Sequence, residues 1–471
     1  MKRYLAAAML LLALSGCGSS GSSTQLYTTT EDFFAMDTYM SVDVSSEKSE
    51  SAAEDMAVKI EQRVNQLDAA LSRTQQAGDL YKLNHANGQP TEVSDDTYTA
   101  LEKALEYAEM TNGAFDPTMA PLTDLWGIGT DNARVPAQSE IDEALTHVGY
   151  QNVKLLGNNQ VQLLNGAQVD LGGIGKGYAG DIVHEMAESD TSDQWHVLAR
   201  LSGNIEMYGG KTADSGTDNW NIGIADPDDN TDSIAVVSLR DGSVVTSGDY
   251  ERFFEKDGKR YHHIFDPATG YPADSGLRGV TVIDPCSTKA DALTTALFVM
   301  GLDKGMKFCE ENEIAAVFIT SDKQVYTTST LGGYVSFEFL GARKRIYPML
   351  NKLKFGDFII IGVVLVMAGA LAAALTFHSS GDKLYAEVWQ NDTLIERVQL
   401  TDATDRTIKL DGNTIVLSGK TAKMADADCR DQVCVRTGTL THAGQAAVCL
   451  PHRVVLKLVG VNDSGIDAVV S

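Results

Sequence analysis

Apolar and polar positions recur with two different periods along this chain. Residues 51–71 (SAAEDMAVKIEQRVNQLDAAL) place Met56, Ile60, Val64, Leu67 and Leu71 three or four apart, the spacing of one helix face, and SAAE opens the stretch as a capping box. A second amphipathic helix is predicted after Ser94, with Tyr98, Leu101, Leu105 and Ala108 on one stripe and Gly113 placed to end it. Later the period shortens. VQLLN, WNIGIAD, IAVVSLRDG, RGVTVID and AAVFIT are short, rich in β-branched residues and bounded by Gly, Asp or Asn, which predicts strands. Helices and strands mix without strict alternation, so the expected class is α+β, with helices packed on a largely antiparallel sheet. KADALTTALFVMG, residues 289–301, reads as a buried helix in which Leu293, Leu297, Phe298 and Met300 serve a core. Asp291 and Thr295 nevertheless lie four apart and project from one side. Two accounts are open: an Asp near a helix start with a Thr hydroxyl bonded back to a carbonyl, or two hard oxygens one turn apart that hold a cation such as Mg²⁺.

Two apolar runs stand apart from these elements. MKRYLAAAMLLLALSGC has Lys2 and Arg3, an apolar run too short for a stable spanning helix, and small residues before Cys17. LSGC resembles a bacterial lipobox, so 1–17 is expected to be a lipoprotein signal peptide with Cys17 as the lipidated residue, and 18–32 a flexible tether; a plain signal peptide is the alternative. Residues 358–377 (FIIIGVVLVMAGALAAALTF) carry no charge and are long enough for a transmembrane helix, a buried soluble helix being the alternative. Arg343, Lys344, Arg345, Lys352 and Lys354 in the basic linker 342–357 favour a cytoplasmic side for the start of that span, opposite to what an export signal dictates. The side occupied by the tail is left open. The expected layout is therefore an α+β domain at 33–341, a transmembrane helix at 358–377 and a small all-β domain at 382–471. The expected location is the cell membrane, with the chain lipid-anchored and the first domain on the extracytoplasmic face.

Composition narrows the function classes. The chain has 471 residues, 43% of them apolar and 22% charged, as in a folded protein of two or three domains. With 38 Lys and Arg against 64 Asp and Glu, the formal charge of -26 excludes a sequence-independent nucleic-acid surface. An anionic small ligand would need a metal or local basic groups to offset the repulsion.

Four clusters put polar groups and glycines where a core would want neither. In GAFDPTMAPL, Asp116 precedes Pro117 and is held extended, though an ordinary turn would look the same. VDLGGIGKGYAGD, residues 169–181, reads as a strand ending at Asp170, then glycines interleaved with Lys176, then a helix. Such a loop lets backbone approach a ligand closely and exposes amides near a helix start, an arrangement suited to phosphate. VVTSGDYERFF supplies Thr246, Ser247 and Arg252, and RYHHIFDPATGYP sets His262 and His263 beside a turn. Adjacent residues of a strand face opposite sides, so at most one of the two His would face a site. No G-x-S-x-G elbow, H-E-x-x-H pair or C-x-x-C zinc pattern occurs in this domain.

Taken in order, AMDTYM, GAFDPTMAPL, VDLGGIGKGYAGD, TSGDYERFF, YHHIFDPATGYP and ADALTTALFVMG closely resemble the ApbE family of FAD:protein FMN transferases, over residues 33 to about 340. The resemblance implies that FAD is cleaved at its pyrophosphate with Mg²⁺, that FMN is esterified to a Thr or Ser hydroxyl of an acceptor protein, and that AMP leaves. It implies Asp291 and Thr295 as side-chain magnesium ligands with the carbonyl of Gly173 as a third. Met36, Ala114, Phe115, Asp116, Asp170, Lys176 and the backbone around Ile264 correspond to FAD-contacting positions, joined as candidates by Thr246, Ser247 and Arg252. His263 or His262 is the candidate base for the acceptor hydroxyl. Asp37 stands where the family commonly has Gly, and Thr74 where some members put a flavin-contacting Tyr. Expected acceptors resemble subunits of Rnf or sodium-pumping quinone reductase complexes, which places the partner at a membrane. Two rival readings use the same residues: an FAD pyrophosphatase that employs water, and a non-enzymatic flavin-binding lipoprotein.

In the tail, LYAEVWQNDTLIERVQL alternates around an Asn-Asp turn like a hairpin. DCRDQVCVRTG and AVCLPHRVVLKLVG resemble NusG domain II, a resemblance that fixes no activity. Cys429, Cys434 and Cys449 are odd in number, so one disulfide would leave a thiol; adding His452 makes a Cys₃His metal set the alternative.

Overall fold

A two-residue turn joins the first two strands of the described chain. Tyr27–Ala35 (β1) and Thr38–Ser46 (β2) pair antiparallel around Met36 and Asp37, whose φ angles of 51° and 55° are those a tight primed turn requires. The computed structural model describes residues 26–211, 219–334, 336–339, 383–430, 432–460 and 466–470. β1 thus starts inside the stretch expected to be a tether. The helix predicted at 51–71 spans Glu50–Leu71 (α1), but its cap is Ser49, whose hydroxyl accepts from the Ala52 amide at 3.2 Å, two residues ahead of the expected capping box. Asp95–Met110 (α2) is capped by Ser94 as expected. Two further helices, Gly175–Ser189 (α3) and Ser287–Glu311 (α4), carry the glycine-rich and Asp291 segments, and α4 is broken at Gly301, φ 75°. Residues 169–171, expected to end a strand, are irregular; the Asp170 amide bonds to the Pro117 carbonyl at 2.7 Å instead.

Further strands in chain order are Trp195–Arg200 (β3), Asn204–Tyr208 (β4), Trp220–Asp226 (β5), Asp229–Leu239 (β6), Gly242–Gly248 (β7), Leu277–Asp284 (β8), Ala315–Thr320 (β9) and Val325–Thr327 (β10). The five runs read as strands form near their expected places, VQLLN at Gln160–Leu163 and WNIGIAD, IAVVSLRDG, RGVTVID and AAVFIT at β5, β6, β8 and β9, whereas β3, β4, β7 and β10 come from the structure alone. One sheet runs β1-β2-β3-β4-β7-β8-β9-β10, antiparallel at every step. A second sheet, on β5 and β6, is flanked by Ser336–Phe339 and by Ala468–Val470, the last running parallel to β5. Period-two alternation sends neighbouring residues into different cores. Val245, Val280 and Val282 face α4 with Leu293, Leu297 and Phe298, while Val244, Ile283 and Val317 face Ile222, Ile224 and Val237 of the second sheet. α1, α2 and α3 cover the β1–β3 end through Ile60, Leu67, Leu101 and Val183.

The C-terminal region is all β. Leu384–Gln390 and Thr393–Leu400 form the expected hairpin, turned at Asn391 and Asp392 with φ of 51° and 60°. Two four-stranded sheets share one core of Val388, Ile415, Leu417, Leu456 and Leu458. The expected fold class is corrected in its middle part. Among the described residues no helix is long and apolar enough to cross a membrane, and the fold is α+β with antiparallel sheets followed by an all-β region. The expected membrane location with its spanning helix falls on the same finding. Residues 1–17 and 358–377, on which those expectations rested, lie outside the described residues.

Candidate active site

Glycine lets α3 touch α4 backbone to backbone. A Cβ at Gly177 would lie 2.4 Å from the Ser287 carbonyl oxygen and 2.6 Å from Asp291 Cβ, and one at Gly180 would lie 2.7 Å from Ser287 Oγ. Gly177→Ala is therefore expected to destabilise the fold by about 1–3 kcal/mol and to push Asp291 out of register, which urea unfolding with a flavin-transfer assay would measure. Asp181, at the far end of the glycine-rich run, caps α4 from outside it. Its carboxylate accepts from the Ser287 amide at 2.6 Å, the Thr288 amide at 3.0 Å and the Thr288 hydroxyl. Removing this cap in Asp181→Ala should cost about 1–2 kcal/mol, read as a lower urea midpoint.

This seating orients Asp291. Its Oδ2 accepts from the Gly177 amide at 2.8 Å, and burial pushes its carboxyl pKa up while the charge of Lys176 pulls it back. The hydroxyl bonded back to the helix belongs to Thr294, which donates to the Asp291 carbonyl at 2.8 Å and accepts from Ser247 at 2.9 Å. Thr295, half-buried, makes no side-chain hydrogen bond among the described residues and faces Gly173, where a Cβ would be 3.6 Å from its Oγ1 and 3.3 Å from the Phe115 ring. Asp291 thus bonds to the backbone of Gly177 and Thr295 faces Gly173, which sets a carboxylate and a hydroxyl on the glycine-rich segment, and oxygen donors are the kind a hard divalent ion takes.

Around this set the candidates divide. Lys176 makes no salt bridge among the described residues, yet its charge acts on Asp291, on His263 and on Glu251. Arg252 donates to the Asp37 carbonyl at 3.0 Å, so the Met36–Asp37 hairpin tip reaches the same place. Asp170 is held by Arg73 at 3.0 Å and by the Gly172 amide at 2.8 Å. Asp116 ties its own loop to the Tyr150 segment: its carboxylate accepts from the Thr118 amide and hydroxyl at 2.8 and 2.5 Å and from the Tyr150 amide at 2.8 Å, with burial raising its pKa. Ala114 follows the α2 terminus, where Gly113 takes the Ala108 carbonyl at 2.8 Å. Thr246 bonds to Thr281 at 2.8 Å and is buried on the sheet face toward the second sheet, away from α4. Ile264 is buried, its carbonyl bonded to the Ala273 amide at 2.9 Å.

The two histidines differ in what their nitrogens have left to do. His262 Nε2 donates to the Ala273 carbonyl at 3.0 Å, its Nδ1 accepts from the Ile264 amide at 3.3 Å, and its ring meets Phe298 edge-on; both nitrogens are committed to backbone. His263 lies just past the strand Lys259–His262, with Nδ1 3.3 Å from the Arg252 carbonyl. A proton on Nδ1, assigned from that partner, leaves Nε2 as the basic atom. Burial pushes the His263 pKa down to about 3, and Arg252, His262 and Lys176 act in the same direction, so the ring is neutral near pH 7. The sequence reading passed over Glu251. Burial lifts its pKa to about 7, opposed by Lys176 and Arg252. Its only sequence signal was adjacency to Arg252. A separate cavity of about 480 Å³, lined by Glu31, Asp32, Phe34, Trp389 and Arg453 among others, contains none of these residues.

Comparison with known proteins bears on this geometry. The ApbE family model matches residues 36–318, and the NusG domain II model matches residues 359–462. An FAD:protein FMN transferase of Treponema pallidum (strain Nichols) is 37% identical over 337 residues, covering 68% of this chain and 92% of the relative. One from Vibrio cholerae is 30% identical over 324 residues, 68% and 94% of the two chains. Among solved structures, the ApbE protein of Thermotoga maritima superposes with a TM-score of 0.61 at 36% identity, covering 66% of this chain and 99% of that one. The apo flavinyl transferase ApbE of Pseudomonas stutzeri gives 0.59 at 30%, covering 68% and 99%. With more than half of its length matched by the family model and a relative 37% identical over 68% of it, the chain belongs to the ApbE family of flavin-transferring enzymes.

Proposed function

We propose that this enzyme, an FAD:protein FMN transferase by family, cleaves FAD at its pyrophosphate beside the close contact of α3 with α4, where Asp291, Thr295 and Lys176 lie. In this reading it depends on Mg²⁺ and joins FMN through a phosphoester to a Thr or Ser of an acceptor redox protein. The observation that carries this reading is the convergence of Asp291 and Thr295 with Gly173, Lys176 and a neutral His263. Asp291, Thr295 and the Gly173 carbonyl would hold the ion, which when bound supplies positive charge against the pyrophosphate oxygens. Lys176 and Arg252 add fixed positive charge at the same place, which answers the repulsion expected from a chain of charge -26. His263 Nε2 takes the proton of the acceptor hydroxyl as its oxygen bonds to the FMN phosphorus. The bond from that phosphorus to the bridging oxygen breaks, and AMP leaves with that oxygen. Backbone at Gly173 and Gly177 sets how closely the dinucleotide approaches.

The acceptors we propose are subunits of Rnf or sodium-pumping quinone reductase type. Incubation of the purified chain with FAD, Mg²⁺ and such a subunit, followed by a denaturing gel viewed for flavin fluorescence and by chromatography of nucleotides, tests the reading. Equimolar AMP and protein-bound flavin are expected. AMP with free FMN would make the enzyme a pyrophosphatase, and bound FAD without AMP would make it a carrier.

A further inference from the structure

The C-terminal region carries a second constellation that flavin transfer does not use. Strand Thr421–Ala427 delivers Cys429, the short helix Val433–Arg436 holds Cys434, and strand Ala446–Cys449 ends on Cys449, three residues before His452. The three sulfur atoms all lie within 4.8 Å of one another. Cys429 Sγ is 4.0 Å from Cys434 Sγ, and Cys449 Sγ is 3.2 Å from His452 Nδ1. Zn–S and Zn–N bonds of about 2.3 and 2.0 Å give a tetrahedron edges of roughly 3.8 Å between sulfurs and roughly 3.5 Å between sulfur and nitrogen. The Cys429–Cys434 and Cys449–His452 separations are of that size before any ion draws the donors together, and a modest turn of the imidazole toward the other two sulfurs completes the set.

The surroundings are built for ligation. His452 turns its other nitrogen, Nε2, onto Asp428 Oδ1 at 2.8 Å, the carboxylate partner that fixes the tautomer and aims Nδ1 inward. The ring is cradled at Gly412, where a Cβ would lie 2.4 Å from Nε2 and where φ is +76°. Cys434 and Cys449 are each 1% exposed, and buried Asn413 has an Oδ1 without a partner. A disulfide accounts for less: it would join two sulfurs, leave the third unpaired, and give no role to the His452–Asp428 pair.

We propose that Cys429, Cys434, Cys449 and His452 form a closed Cys₃His site for a thiophilic divalent ion of the zinc class. Four protein donors leave no open position, so the ion is structural. It clamps the segments after Thr421–Ala427 and Ala446–Cys449 onto the β core, adding to single backbone bonds such as that of the Asp428 amide to the Gly412 carbonyl at 3.0 Å.

The test uses the full chain purified with a non-thiol reductant. Elemental analysis should find one zinc per chain. Replacement by Co²⁺ should give sulfur-to-cobalt charge-transfer absorption with the visible bands of a tetrahedral ion, a signature that oxygen ligands at Asp291 and Thr295 cannot produce. Cys434→Ser should lose both the ion and the absorption. His452→Cys should keep one ion with an altered cobalt spectrum, which separates ligation from misfolding, and Cys286→Ser should change nothing. A native chain with no bound zinc and no cobalt–thiolate absorption, or one whose peptide map links two of the three cysteines as a disulfide, overturns the proposal.

Discussion

Asp291→Asn should lower covalent FMN transfer and AMP release together, by about 10²–10³-fold, because it removes the carboxylate charge proposed to hold the ion while keeping an oxygen for the Gly177 amide. The amide preserves the seating of α4 on α3, so urea stability should stay close to that of the parent. Thr295→Val keeps shape and removes only the hydroxyl, which makes no structural bond among the described residues; about a 10-fold loss is expected, on the scale of one hydrogen bond or dative contact to a charged group. Both variants should need more Mg²⁺ for half-maximal rate. If AMP still forms at an unaltered rate in the double variant, the Asp291–Thr295 face of α4 is not where FAD is cleaved.

His263→Gln should lower transfer by about 10²–10⁴-fold, the usual contribution of a positioned base, with the fold intact. His262→Gln should do the opposite: it strips two backbone partners and an aromatic contact from the buried turn, so stability falls while the surviving folded enzyme still transfers. The pH behaviour follows from the burial of His263. Its pKa is about 3 when folded against 6.5 as the ordinary value, so between those limits the unfolded chain binds the proton that the folded chain refuses. Stability contributed by this group is whole above about 6.5 and declines as pH falls toward 3. In catalysis the depressed value leaves the ring neutral, so kcat/KM should show no acid limb from this group between pH 5 and 8. Bound pyrophosphate would offset Arg252 and Lys176, so the acid limb of kcat should lie above that of kcat/KM. A limb in kcat/KM near 6.5 that disappears in His263→Gln would show that the ring is not so buried.

Much of this was legible in the residues because periodicity is local. The spacing of Met56, Ile60, Val64 and Leu67 compels one helix face to be buried, and short β-branched runs such as AAVFIT compel strands, whatever the rest of the chain does. The cap of α1 was misplaced by two residues because Ser49 and Ser51 are equivalent until the backbone enters the helix. The glycine-rich run was legible as a close-approach segment. That the close approach is to α4, rather than to a ligand alone, depends on where residues more than a hundred positions away pack.

The chain by itself thus determined the α+β class, the helices at 51–71 and after Ser94, several of the strands, the four-residue spacing of Asp291 and Thr295, and the membership that its ordered motifs announce. Only the tertiary structure decided that both nitrogens of His262 bond to backbone, that Thr294 and not Thr295 bonds back to the helix, which groups Asp116 and Thr246 bond to, and that the charge of Lys176 acts on Glu251. It also corrected the spanning helix, since among the described residues none is long and apolar enough. The reason is physical: a residue's identity sets which bonds its side chain can make, whereas the partners that consume those bonds are supplied by backbone distant in sequence, and they exist only once the sheets and helices have closed on one another.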